Sequence, residues 1–187
     1  MFWISEYELL TAKKKGIRVM ISISVAVDPN CGIGYKGVMP WHIKEEFKVF
    51  RRNTMFKNIV MGQTTYDNLP GKLKDRYITV VSIDPEYDRE GVTVVHDLID
   101  FLEEHRNDDT EYIICGGASI YRQSYPYAKK AYISFIKKEY EVDTYFDAYD
   151  SNDWDIAVEE EHEEFIYREL HRKEKPCTKE KHCIPTR

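Results

Sequence analysis

VAVDPNCGIGYKGVMPWHIKEEFKVFRRNT, residues 25–54, carries three successive patterns. It begins at the end of the apolar run MISISVAV, 20–27, whose β-branched and small residues suit a buried strand. It then crosses a loop holding Gly32, Gly34 and Gly37, which lets backbone approach a ligand and lets the loop move. After Met39-Pro40-Trp41 it enters a helix, predicted over 44–53, with Phe47, Val49 and Phe50 as the apolar set. Glu46 precedes Phe50 by four residues, so a carboxylate and an aromatic share nearly one face. Such a Glu is either a surface residue paired with Lys48 or Arg51, or an acid held against an apolar pocket for chemistry. Spacing alone leaves both readings open.

Outward from this stretch, strands are predicted at 58–62, 77–82, 92–95, 111–115, 130–136, 154–159 and 164–170. Helices are predicted at 63–69, 97–106 and 117–125, with Asp97 able to accept from the first free N–H groups of its helix. Strand–helix alternation that gives way to late alternating strands implies an α/β fold whose parallel sheet ends in an antiparallel edge. The globular pattern runs from 20 to 171. Residues 1–19 are mixed and read as a short amphipathic helix or a flexible extension. The basic stretch 172–187, with two Pro and no apolar period, reads as a mobile tail.

Of 187 residues, 42% are hydrophobic and 13% aromatic, enough for one domain with a real core and too many for general disorder. No apolar run approaches the roughly 18 residues needed to span a bilayer. Four cysteines are too few for a disulfide scaffold, and the N-terminal segment lacks a secretory apolar region, so a cytoplasmic protein with reduced thiols is expected. Cys177, His182 and Cys183 lie close together, but a zinc site usually takes four ligands, so no metal is expected. The net charge of −6 conceals an asymmetry. Residues 1–19 carry +2 and 172–187 carry +4, leaving −12 for the middle, all of it from 139–164. The acidity therefore argues against a general nucleic-acid binder but not against an anionic ligand.

Five elements in chain order together resemble dihydrofolate reductase. They are the 25–54 stretch, Met61-Gly62 followed by Thr65, Arg76 six residues before Ser82, Cys115-Gly116-Gly117-Ala118-Ser119-Ile120-Tyr121, and Asp143-Thr144-Tyr145-Phe146. The resemblance spans about 20–171. It implies a three-layer fold with a central eight-stranded, mostly parallel sheet, an antiparallel C-terminal edge and about four flanking helices. It also implies NADPH-dependent hydride transfer to C6 of 7,8-dihydrofolate with a proton added at N5. The product, tetrahydrofolate, would serve one-carbon metabolism and thymidylate synthesis, and the enzyme would be a monomeric antifolate target with no nucleic-acid or membrane partner.

Carried over residue by residue, Glu46 would hold the pterin edge and promote N5 protonation through water. Thr144 would hydrogen-bond that carboxylate, and Trp41 would close the pocket and orient the water. Val25 and Cys115 would complete the pterin pocket. Phe50, Leu69 and Leu73 would line the aminobenzoyl channel, and Arg76 would pair with the substrate α-carboxylate. Ala26, Ile33, Gly34 and Met39 would surround the nicotinamide, with 32–42 as lid. Gly116 and Gly117, joined by an expected cis peptide, would lead with Ala118, Ser119, Ile120 and Tyr121 into a helix whose N–H groups face a pyrophosphate. Thr65 would bind phosphate. Gly62, Gln63, Thr64, Ser82, Ile83 and His96 would take the adenosine side. The chain departs from the family here, because relatives commonly place basic residues at the positions of Gln63, Thr64 or Ile83. Two rival readings are the pyrimidine reductase of riboflavin synthesis, which shares the fold, and a non-enzymatic protein that retains it. Glu46 with Phe50, Arg76 and Thr144 favours folate over the former. Retained Glu46, Trp41 and Arg76 argue against the latter.

Overall fold

The computed structural model describes residues 21–106 and 109–173. The extensions 1–19 and 174–187, with Cys177, His182 and Cys183, lie outside the described residues. Among the described residues, ten strands and four α-helices alternate in the order β1 Ile21–Val27, β2 Gly32–Gly34, α1 Lys44–Thr54, β3 Asn58–Gly62, α2 Gln63–Asp67, β4 Tyr77–Val81, β5 Thr93–Val95, α3 Leu98–His105, β6 Tyr112–Ile114, α4 Ala118–Ser124, β7 Lys130–Ile136, β8 Thr144–Tyr145, β9 Trp154–Glu161 and β10 Phe165–Arg172. Eight strands form one sheet in the order β5-β4-β3-β6-β1-β7-β10-β9. β10 pairs antiparallel with β7 and β9, and the other neighbours are parallel.

Central strands of such a sheet are covered on both faces, which is why 20–27 holds only apolar and small residues and no charge. The two faces are nonetheless unequal. Ile21, Ile23 and Val25 pack with Val60 and Ile114 against Leu98, Phe101, Leu102 and Ile120, on the side of α3 and α4. On the other side, Ile59, Met61 and Ile113 meet Trp41, Ile43 and Val49, the last of these from α1. There β1 presents only Ser22, Ser24 and Ala26, so small side chains leave room between the sheet and α1. Asp97 caps α3 as expected, accepting from Asp100 N–H at 3.0 Å.

The elements differ from the sequence reading mainly at their ends. The helix expected over 63–69 is Gln63–Asp67, and β9 runs on to Glu161. β10 continues to Arg172, and Lys173 N–H donates to Asp153 O at 2.8 Å. A small antiparallel sheet of β2 and β8 was not expected. Strands of three and two residues carry no period, and Gly32 and Gly34 lower strand propensity further. The acidic segment 139–164 includes β9, the outermost strand, where charge discourages edge pairing. Some of its carboxylates are paired, Glu159 with Arg168 at 2.7 Å and Glu160 with Arg52 at 3.0 Å. No helix among the described residues is long and apolar enough to cross a membrane.

Candidate active site

Parallel strands end along one edge of a sheet, and a ligand site forms there. A cavity of about 1170 Å³ follows that edge, lined in spatial order by Val25 and Ala26 of β1, Cys115 after β6, Gly62 of β3, Val81 and Ser82 at the end of β4, and His96 after β5. Every site residue expected from the sequence lines it except Arg76.

At the β1 end, α1 carries Glu46 into the space left by the small residues of β1. Glu46 is 6% exposed, and burial raises its carboxyl from the ordinary 4.5 to about 7. Its side-chain partner is Ser134, which opposes that rise. Ser134 is the β7 register partner of Ala26 and faces the same side of the sheet. Trp41 is buried against Tyr140, with ring centroids 5.4 Å apart, and its Nε1–H has no protein partner. A buried donor of this kind needs an acceptor, and water or a ligand in the cavity can supply one.

An acid whose folded pKa lies above its unfolded value weakens the fold when it ionises. Its penalty is absent below about pH 4.5, grows as pH rises, and is complete above about 7. Glu46→Gln is therefore expected to be more stable than wild type by about 3 kcal/mol at alkaline pH, with no advantage in acid. Urea unfolding at about pH 5 and about pH 8 checks this. Equal gains at both values would place the effect elsewhere.

The loop after β1 is anchored at its base and clasped at its tip. Buried Asp28 accepts from the N–H groups of Asn30, Gly32 and Tyr140 at 2.9, 2.8 and 3.2 Å. β2 then lies against β8 so closely that a Cβ on Gly32 would stand 2.6 Å from Val142 Cγ2. Asp143 N–H donates to Gly34 O at 3.0 Å, and Asp143 Oδ2 accepts from Lys36 N–H at 2.8 Å. The Lys36 N–H holds the Asp143 carboxyl below the usual range. Across the cavity, Asn68 Nδ2 donates to Gly37 O at 3.0 Å. Asp143→Ala removes the acceptor of the Lys36 N–H and of the Thr144 hydroxyl, two exposed hydrogen bonds of about 1 kcal/mol each at most, and is expected to lower turnover about fivefold with only a small loss of stability. Steady-state kinetics beside a thermal melt separate the two effects.

Further along, the Gly116–Gly117 peptide is cis, and Gly116 sits at φ +130°. Thr65 packs against the pair, where a Cβ on Gly116 would lie 3.1 Å from its Cγ2 and one on Gly117 3.2 Å from its Oγ1. The backbone of this turn is thus open to a ligand on one side and backed by a hydroxyl on the other. Burial pushes the Cys115 thiol up, and it donates to Ile113 O at 3.4 Å, as a small hydrophobe and not a nucleophile.

The sequence profile of the family described as dihydrofolate reductase matches residues 20–172. The chain belongs to the dihydrofolate reductase family. Dihydrofolate reductase of Bacillus subtilis (strain 168) is 32% identical over 142 residues, 76% of this chain and 84% of that one. Dihydrofolate reductase type 3 of Salmonella typhimurium is 32% identical over 136 residues, 73% of this chain and 83% of that one. The solved structure of dihydrofolate reductase from Enterococcus faecalis, complexed with NADP(H) and RAB-propyl, superposes with a TM-score of 0.76 at 25% identity, covering 84% of this chain and 99% of that one.

Within this dihydrofolate reductase fold, one expected contact is replaced. Thr144 lines the cavity, but its hydroxyl donates to Asp143 Oδ1 at 2.8 Å and not to Glu46. Thr144 pairs with Gly34 in the small sheet and so belongs to the clasp of the loop after β1. Ser134, which sequence reasoning passed over, takes its place beside Glu46. The signal was available, since a hydroxyl in the apolar run KAYISFI must find a partner if buried. Arg76 stands just outside the cavity wall. Its Nε donates to Thr54 Oγ1 at 2.9 Å, its Nη1 to Lys74 O at 2.8 Å, and its guanidinium lies over Phe50 at 5.7 Å. It has no ion-pair partner among the described residues. His42, Phe47 and Asn68 also line the cavity and were not anticipated. His42 lies against Phe47 with ring centroids 5.1 Å apart and the rings tilted at 57°, a contact that depends on how the loop enters α1.

Proposed function

We propose that this protein reduces 7,8-dihydrofolate to tetrahydrofolate with NADPH, as a monomer in the cytoplasm, with the residue roles that follow. The observation that carries the reading is a buried carboxyl near neutrality at one end of a single long cavity whose middle is a glycine cradle. The cofactor supplies a hydride to C6 of the pterin. Its residues fit the cavity. Ala26, Ile33, Gly34 and Met39 wall the nicotinamide end, Gly116 and Gly117 admit the pyrophosphate to close backbone approach, and Thr65 offers a hydroxyl behind them. Ala118, Ser119, Ile120 and Tyr121 continue this wall into α4, whose first N–H groups lack intrahelical partners.

Glu46 binds the pterin edge, its two oxygens facing the N3–H and the 2-amino group. Ser134 fixes the rotamer of that carboxyl. With a pKa near neutrality, Glu46 holds a proton for part of the time at physiological pH and favours the protonated pterin. Its edge of the ring is remote from N5, so the proton crosses through water, held by Trp41 Nε1. Val25, Cys115 and Phe50 flank the ring, and Leu69 and Leu73 continue the apolar wall toward the mouth. Arg76, steadied by Thr54, meets the anionic tail of the substrate there. Gln63, Thr64, Ser82, Ile83 and His96 receive the adenosine, with Gly62 beneath. The lid clasped by Asp143 and Thr144 excludes bulk water during transfer.

Loss of reduced-nicotinamide absorbance on mixing enzyme, dihydrofolate and NADPH tests the reading directly. Turnover that depends on dihydrofolate is the expected result. Failure to oxidise NADPH or NADH with this substrate would overturn it.

A further inference from the structure

The Trp41 indole leans on the ring of Tyr140, which lies on the connection between β7 and β8. The centroids are 5.4 Å apart and the rings are tilted at 56°. Trp41 precedes α1 and Tyr140 precedes β8, so neither ring is set by a helical or strand backbone. Each is oriented by its neighbours.

A second cavity, of about 320 Å³, adjoins this pair. Its apolar lining is Ile43, Ile136 and Tyr140, and the rest is Lys and Glu. Trp41 lines the large cavity and not the second one, whereas Tyr140 lines the second one and not the large cavity. The two rings together are therefore a partition. Solvent in the second cavity is separated from the pterin end of the site by two side chains.

The two rings are held very differently. Tyr140 is tied into the chain, because its N–H donates to Asp28 Oδ2 at 3.2 Å. The other oxygen of that buried carboxylate accepts from the N–H groups of Asn30 and Gly32, at the base of the loop after β1. Lys138 Nζ also lies 5.2 Å from the Tyr140 ring centroid, a cation over an aromatic. Trp41 is buried, and its Nε1–H has no protein partner. No hydrogen bond from the chain fixes how the indole is turned, so ring packing does. Without the Tyr140 ring, the indole could turn toward the second cavity, and water could reach it from behind.

We propose that Tyr140 is a positioning residue for proton delivery, which holds the Trp41 indole in its working orientation and closes the relay to water from the second cavity. The inference rests on the relay assigned above to Glu46 and Trp41. It adds a residue that touches neither substrate nor cofactor and acts through Trp41.

Tyr140→Ala should lower kcat about tenfold and leave KM for dihydrofolate nearly unchanged, since the groups that bind the pterin are intact. Tyr140→Phe keeps the ring and the backbone donor and should match the wild type. Tyr140→Leu keeps apolar volume without a flat ring, so it is the better-folded second variant and should fall between the two. Trp41→Phe removes the N–H that Tyr140 orients. In that background, Tyr140→Ala should cost kcat little further, so the two losses should be far from additive. Packing support alone would lower kcat by the same factor in both backgrounds.

Acrylamide quenching reads the partition without turnover. The Trp41 emission, taken as the difference between each protein and its Trp41→Phe counterpart, should be quenched several-fold more strongly in Tyr140→Ala than in wild type. In Tyr140→Phe it should be unchanged. Additive kcat losses, or Trp41 emission equally shielded in Tyr140→Ala, would overturn the assignment while leaving the function reading intact. A wild type inactive on dihydrofolate would overturn the function reading and the relay with it.

Discussion

Glu46→Gln is expected to lower kcat/KM for dihydrofolate by on the order of 10² or more, with the fold intact and more stable at alkaline pH. Gln keeps the volume and one acceptor oxygen, but it can neither accept twice from the pterin edge nor carry the proton. The pH profile distinguishes lost proton supply from lost binding. In the wild type, burial raises the carboxyl to about 7, so the rate should fall as pH rises through that value. In Glu46→Gln, that limb should vanish and leave a lower and flatter profile. Ser134→Ala should lower the rate less strongly and move the limb to higher pH, because the Ser134 hydrogen bond orients the carboxyl and opposes its rise. An unchanged rate in Glu46→Gln would remove Glu46 from the chemistry.

Arg76→Leu should raise KM for dihydrofolate by about ten- to a hundredfold and leave kcat nearly unchanged, as expected for a charge-assisted contact made equally in ground and transition states. The guanidinium spends one donor on Thr54 and one on Lys74 O, and among the described residues it forms no ion pair, so its remaining donors are available to an anion. Buried Thr54 donates to Phe50 O at 2.7 Å, which fixes its hydroxyl as the acceptor for Arg76 Nε. Thr54→Val should therefore raise KM several-fold through Arg76. Dihydropteroate, which has no glutamate tail, separates recognition from packing. On that substrate, wild type and Arg76→Leu should have the same KM. A KM raised equally for both substrates would mean that Arg76 only supports the wall beneath Phe50.

The legible part of the site is the part whose positions follow from local periodicity. β1 and α1 are adjacent in sequence, strongly patterned and joined by a glycine loop, so residues 25–54 alone set Glu46 and Phe50 on one helix face, while the role of Glu46 came only from the family resemblance. The carboxyl's partner could not be placed in the same way. Thr144 and Ser134 are ten residues apart in sequence, and both are hydroxyls near the end of a strand. Only the pairing of Ala26 with Ser134 puts one of them under Glu46, while the pairing of Gly34 with Thr144 commits the other to the loop after β1. β2 and β8 themselves were invisible because each is too short to show a period.

The sequence by itself determined the order of elements, the apolar faces and the residue types available for chemistry, including the lack of a basic residue at positions 63, 64 and 83. These are local properties, set by backbone sterics and by which side chains must leave water. Tertiary structure decided which of those residues meet. It buried Glu46 deeply enough to raise its carboxyl to about 7, turned Thr144 away from it and placed Arg76 behind the cavity wall. Each of those outcomes depends on strand register and on distances between segments far apart in the chain, which no local pattern encodes.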